Sequence, residues 1–156
     1  MSSFLVRRLA HHAHEQPDQP ALATSSRRWT WRELDDASRD VADALADVGA
    51  RAETVVVVAM SRGPEVAFAV AGARRLGAVP AIVDPTDVDQ ALALCERLRP
   101  AALVVRASDP AARLIATRAP VVMPIVEIHG ATPVGVTRLV RCCAGAIKFR
   151  ATPARA

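Results

Sequence analysis

Three histidines, His11, His12 and His14, stand close together near the amino terminus. On a helix, residues i and i+3 share a face, so His11 and His14 could make half of a metal site. No carboxylate, cysteine or further histidine stands at a spacing that completes the set, and a zinc centre needs three or four protein ligands. The triplet therefore reads as a solvated helix surface. A second group is acidic: Asp35, Asp36, Asp40, Asp43 and Asp47, with Arg39 among them. Their dispersal around the helix that carries them marks a solvated face rather than a metal or acid–base cluster. The thiols are Cys95 and the adjacent pair Cys142 and Cys143. Neighbouring cysteines form only strained disulfides, Arg141 and Lys148 are the sole nearby groups that would lower a thiol pKa, and no spacing resembles a zinc or disulfide framework. Cys95 falls on an apolar stripe and is expected to be a small core residue.

Phosphate chemistry lacks its usual seat. The turn after the first long apolar run is Met60-Ser61-Arg62-Gly63-Pro64-Glu65, without G-x-G-x-x-G. The single lysine, Lys148, precedes Phe149, so no G-x-x-x-x-G-K-[ST] exists, and Gly130 to Gly135 has two loop glycines but no lysine. Neither a G-x-S-x-G elbow nor an H-E-x-x-H motif is present. No residue is assigned a catalytic, cofactor-binding or metal-binding role.

The elements that would position such residues are easier to read. Thr54 to Pro85 runs TVVVVAMSRGPEVAFAVAGARRLGAVPAIVDP: an apolar run, a turn, a helix opened by Pro64 and Glu65 and closed by Gly77, then a second apolar run. Uninterrupted valines suit a strand buried on both faces, and proline at the first helical position with glycine past the last is the expected asymmetry. The spacing predicts a β-α-β unit with strands at Thr54–Met60 and Val79–Val83. Before it, Ser3 is expected to cap a helix ending near Gln16, with Leu5, Val6, Leu9 and Ala13 as its stripe. Pro20–Thr24 and Arg28–Thr30 predict a short hairpin. Thr30-Trp31-Arg32-Glu33 reads as a capping box for a helix with the stripe Leu34, Ala37, Val41, Leu45 and Val48, ended by Gly49. After it, Thr86–Leu98 predicts a helix, Ala102–Val105 a strand, Asp109-Pro110 a short helix, and Val121–Ile128 a strand that Pro124 restricts to an edge or shortens. Gly130 to Ala156 carries no secure assignment; Val134 to Phe149 could add a strand or a helix.

Half of the 156 residues are hydrophobic, enough to bury a core. The charge is uneven: 15 arginines face 16 acids up to Glu127, whereas Arg138, Arg141, Lys148, Arg150 and Arg155 follow with no acid. Without aromatic interleaving or a nucleic-acid motif, this basic tail does not indicate nucleic-acid binding. No run reaches a membrane span and no signal-peptide core follows Met1. A reduced, cytoplasmic setting is expected.

Taken in order, Pro17-Asp18-Gln19-Pro20-Ala21-Leu22, Trp29-Thr30-Trp31-Arg32-Glu33-Leu34 and Arg74-Arg75-Leu76-Gly77-Ala78-Val79-Pro80-Ala81-Ile82-Val83-Asp84-Pro85 resemble the amino-terminal segment of the adenylate-forming superfamily. That superfamily comprises acyl-CoA synthetases, luciferases and the adenylation domains of nonribosomal peptide synthetases. The second stretch is similar to L-[TS]-Y-x-E-L and the third to L-K-A-G-x-A-Y-V-P-L-D-P, with Pro80 where the family favours an aromatic and Ile82 where it favours proline. The resemblance implies an α/β fold, a mostly parallel sheet flanked by helices with a short amino-terminal hairpin: a truncated adenylation-like subdomain over residues 1–128, followed by a basic segment, 129–156.

It further implies carboxylate activation with ATP. The family's phosphate loop, adenine site, ribose-binding acid and carboxyl-terminal lysine, however, lie beyond the matched stretches. The matched positions are scaffold motifs, so no functional residue carries over. The expected function is that of an adenylation-like chain without autonomous activity, associating with a protein partner or with itself through an unfinished surface. Two alternatives accompany it: a subunit of an acyl- or aminoacyl-adenylating ligase whose second chain completes a site for ATP and Mg, and a small α/β interaction or regulatory domain. No nucleic-acid or membrane partner is expected.

Overall fold

The computed structural model of the chain describes residues 4–119, 123–129, 135–141 and 147–151. Helix α1, Phe4–Glu15, buries Val6 and Leu9. Leu5, expected on the same stripe, is instead 49% exposed, and Ser3 lies outside the described residues. Strands β1 (Pro20–Ala23) and β2 (Arg28–Thr30) form the antiparallel hairpin. Its turn manages without Asn-Gly because Thr24 substitutes: its amide donates to the Arg27 carbonyl at 2.7 Å and its Oγ1 accepts from the Arg27 amide at 3.1 Å.

Thr30 ends β2 and opens α2, Trp31–Asp47. Its Oγ1 accepts from the Glu33 amide at 3.2 Å while Glu33 Oε2 accepts from the Thr30 amide at 2.8 Å, the reciprocal box read in the sequence. Gly49, at φ +94°, closes the helix. The amides of Gly49 and Ala50 turn back to Ala46 and Leu45 at 2.9 Å each, respectively the five-to-two and six-to-one bonds of a Schellman end.

The remaining elements alternate: β3 (Val55–Ala59), α3 (Pro64–Arg75), β4 (Val79–Val83), α4 (Val88–Leu98), β5 (Ala102–Arg106), α5 (Pro110–Arg118), β6 (Ile125–His129), then β7 (Gly135–Arg141) and β8 (Ile147–Ala151). The sheet order is β4-β3-β5-β6-β7-β8, parallel through β6 and antiparallel beyond it. Valine alternation fills two cores. Val56 and Val58 join one with α1, α2 and α3, whereas Val57 and Ala59 join the other with α4 and α5. The step from β3 to β4 runs through α3 on the first face, and the opposite steps to β5 and β6 run through α4 and α5 on the second. A single hand of crossover requires that arrangement.

Three details correct or sharpen the sequence expectations. Helix α4 starts at Val88 rather than Thr86, because Asp87 Oδ1 caps the Gln90 amide at 3.0 Å and Thr86 is bonded to Asp84. Pro124 does shorten its strand to Ile125–His129, yet β6 lies inside the sheet between β5 and β7 rather than at an edge. In the tail, where Val134 to Phe149 could have added a strand or a helix, strands form: β7 and β8 pair with register from Thr137 opposite Ala151 to Arg141 opposite Ile147. Cys142 and Cys143 lie outside the described residues.

Strand β4 is one edge of the sheet. The Val79 amide bonds inward to the Thr54 carbonyl at 2.8 Å; by alternation, position 80 faces away from β3. Pro80 thus places its missing donor on the open side, where proline is tolerated. Among the described strands, β4 pairs on one side alone.

Candidate functional site at the carboxyl ends of β3 and β5

From β3 the chain moves one way to β4, and β5 lies on the other side, so β3 and β5 flank the topological switch point. In open α/β sheets, ligands bind outside the strand carboxyl ends at such a point. Here the residues are Met60 to Gly63 after β3, the first turn of α3, and Arg106 at the end of β5.

The crevice is closed from within. Arg106 Nη2 donates to Glu65 Oε2 at 2.8 Å and reaches the Ser61 carbonyl at 3.5 Å. Gly63 makes the approach feasible: a Cβ there would lie 2.3 Å from Arg106 Nη2 and 2.6 Å from Glu65 Oε2. Glu65 occupies the first turn of α3, where a helix end favours negative charge. Arg106 Nε, meanwhile, is buried and without a partner among the described residues. The sequence showed Glu65 as a helix-end acid but not its tie to Arg106.

A phosphate group entering here would meet the Glu65 carboxylate in the first turn of α3, and the guanidinium beside it is already paired with that carboxylate. Among the described residues no group of three His, Cys, Asp or Glu could hold a metal ion. His11 and His14 are exposed; His14 lies 3.8 Å from Glu15, and His12 stacks on Trp31 at 4.6 Å.

One aspartate departs from the expected solvated face. Asp36, Asp40, Asp43 and Asp47 are exposed, but Asp35 is only 4% accessible. It accepts from Arg75 of α3 and from Arg39 at 2.5 Å. Arg75 Nε also donates to Ser38 Oγ at 2.8 Å, and Ser38 Oγ to the Asp35 carbonyl at 2.8 Å. The clamp is possible because α2 and α3 pack closely: a Cβ on Gly72 would fall 2.6 Å from Val41 Cγ1. Ser38 and Ala42, small residues three and seven places after Asp35, were the available signal that this flank faces another helix.

Cys95 is buried, as expected, and burial pushes its thiol pKa up. Asp84, in the Asp-Pro marker, accepts from the Thr86 amide at 2.9 Å and hydroxyl at 2.7 Å, which hold its carboxyl below the usual range. Among the described residues, no helix is long and apolar enough to cross a membrane.

A family model described as AMP-binding enzyme matches residues 9–139. Bacitracin synthase 3 of Bacillus licheniformis is 29% identical over 79 residues, a stretch that is 51% of this chain and 1% of that synthase. Among solved structures, a benzoate CoA ligase from Burkholderia xenovorans LB400 aligns over 82% of this chain and 26% of its own, with a TM-score of 0.66 and 19% identity. The NpsA N-terminal subdomain of Klebsiella oxytoca, solved with 3-hydroxyanthranilyl-AMSN, aligns over 87% of this chain and 40% of its own, with a TM-score of 0.60 and 16% identity. The chain thus spans a small part of the relatives it matches, and shares with the two solved proteins their fold.

Proposed function

Because the chain belongs to the AMP-binding enzyme family, we propose that it is an adenylation-domain-like scaffold that does not adenylate carboxylates by itself and works by association with a partner protein. The observation that carries this is the crevice at β3 and β5, filled by the chain's own Glu65–Arg106 pair. Phosphoryl and nucleotidyl chemistry depends on positioned cations and amide donors around the phosphates, and the described residues assemble no such set there. Purified alone, the chain is expected to give no carboxylate-dependent ATP–pyrophosphate exchange. Clear exchange would overturn the proposal.

A second reading follows from the covered share, 26% of the benzoate CoA ligase. In it the chain is one part of an acyl- or aminoacyl-adenylating ligase, and ATP and Mg are held by residues that another polypeptide contributes. Exchange recovered on mixing with a polypeptide that carries the remaining fold would favour this reading; exchange absent from the mixture would favour the first. The cytoplasm, with its reduced thiols, is the compartment that suits both.

A further inference from the structure

Helix α3 has no polar outer side where one is needed. Its run Val66-Ala67-Phe68-Ala69-Val70-Ala71 is apolar all round; Phe68, Ala69 and Ala71 are buried, but Val66, Ala67 and Val70 remain partly exposed. A surface helix ordinarily turns charged or polar residues outward, so this pattern leaves apolar surface uncovered. Helix α1 adds to it, with Phe4 68% and Leu5 49% exposed. Between α1, β1, α2 and α3 these side chains, with Leu9, Leu22 and Trp31, line a groove of about 630 Å³.

Among the described residues, the polar members of its lining are Arg8 and His12, and no acid takes part. Arg8 has no carboxylate partner among the described residues: its Nη2 lies 3.5 Å from His12 Nε2, and its guanidinium carbon lies 5.6 Å from the Phe4 ring centroid. His12 is held by stacking on Trp31. The stretch of α1 from Phe4 to His12 rises roughly 12 Å at 1.5 Å per residue, matching about two turns of a helix laid alongside.

We propose that this groove is the docking face for an amphipathic helix of the partner protein, its apolar side seated on Val66, Val70, Leu22 and Trp31 and its flank carrying carboxylates toward Arg8. Helix-in-groove recognition uses apolar anchors at i, i+3, i+4 and i+7, and the cationic, acid-free rim selects negative flanking charge. The proposal rests on the functional reading above, as it names the kind of partner with which the chain associates.

The test uses the full chain and two synthetic helical peptides, alike in leucines at i, i+3, i+4 and i+7 but flanked by glutamates in one and lysines in the other. The glutamate peptide is expected to shift the Trp31 indole and the Val66 and Val70 methyl resonances saturably, and to bind roughly tenfold tighter than the lysine peptide. Arg8→Glu, at an exposed position, should leave the circular dichroism unchanged and reverse the preference. Equal binding of both peptides, or no shift with either, would overturn the proposal. So would shifts produced by decanoate alone, which would assign the groove to a free apolar carboxylate. Concentration-dependent shifts without peptide, abolished by Val70→Asp, would assign it to a second copy and equally overturn it. Failure of the peptides leaves the absence of exchange standing, whereas exchange by the chain alone removes the functional reading whatever the peptides do.

Discussion

Arg75 and Arg106 each reach far back along the chain to a carboxylate, Arg75 to Asp35 over 40 residues and Arg106 to Glu65 over 41, yet the two pairs are built differently. Arg75 binds Asp35 and Ser38, and Asp35 takes a second cation from Arg39. Arg106 binds Glu65 and brushes the Ser61 carbonyl, while its buried Nε is left without a partner among the described residues. The first pair lies where two helices press together, so any unmet charge would be costly. The second lies at the mouth of the switch point and is only somewhat more accessible, 21% and 13% against 15% and 5% for the side chains of the first. Equal chemistry thus serves as a helix clamp in one place and as a plug across the candidate crevice in the other.

The largest expected effect is at the clamp. Arg75→Ala strips a buried carboxylate of its interhelical partner and should cost about 3 kcal/mol of unfolding free energy, measured by urea denaturation. Asp35→Leu combined with Arg75→Leu should recover most of that, as replacing both ions by apolar groups removes the unmet charge. A full cost in the double variant would break the distinction between clamp and plug. Gly72→Ala tests the close helix approach that makes the clamp possible: a methyl within 2.6 Å of Val41 Cγ1 forces α2 and α3 apart, at about 2 kcal/mol.

Arg106→Leu should cost less, about 1 kcal/mol or below, since losing the bond to Glu65 is partly offset by deleting a buried nitrogen without a partner. If it destabilised the chain more than Arg75→Ala in the same denaturation series, the pair at β5 would be the principal clamp. Smallest is an acid-range effect at Asp84, whose carboxyl is held low first by the Thr86 amide and then by its hydroxyl. A lowered folded pKa contributes stability above the unfolded value, and that contribution is lost as pH falls through the folded one. Thr86→Val keeps the amide bond and deletes the hydroxyl, so the Asp84 titration, followed by carboxyl NMR, should move part of the way up. An unmoved titration would assign the whole effect to the amide.

Much of the scaffold was legible because its signals are short-range. Thr30 and Glu33, the glycines at 49 and 77, Pro64 and the valines of β3 act within a turn or a strand, and each did what its local chemistry predicts. Asp35 was legible only as one of several aspartates on a polar helix, and Glu65 only as an acid at a helix start. The fate of the tail was hidden for a different reason: β7 and β8 belong to the sheet through partners that lie outside each strand.

The sequence by itself therefore determined the order of elements, the caps that bound them, the two-faced burial of β3 and the family to which those motifs point. Tertiary structure alone decided which charges meet. Helix α3 crosses α2 closely enough at Gly72 and Val41 to bring Arg75 onto Asp35. The parallel pairing of β3 with β5 likewise brings Arg106 to Glu65. Neither contact is encoded within the span of one helix or strand, because each depends on the distance and register between elements, which packing sets.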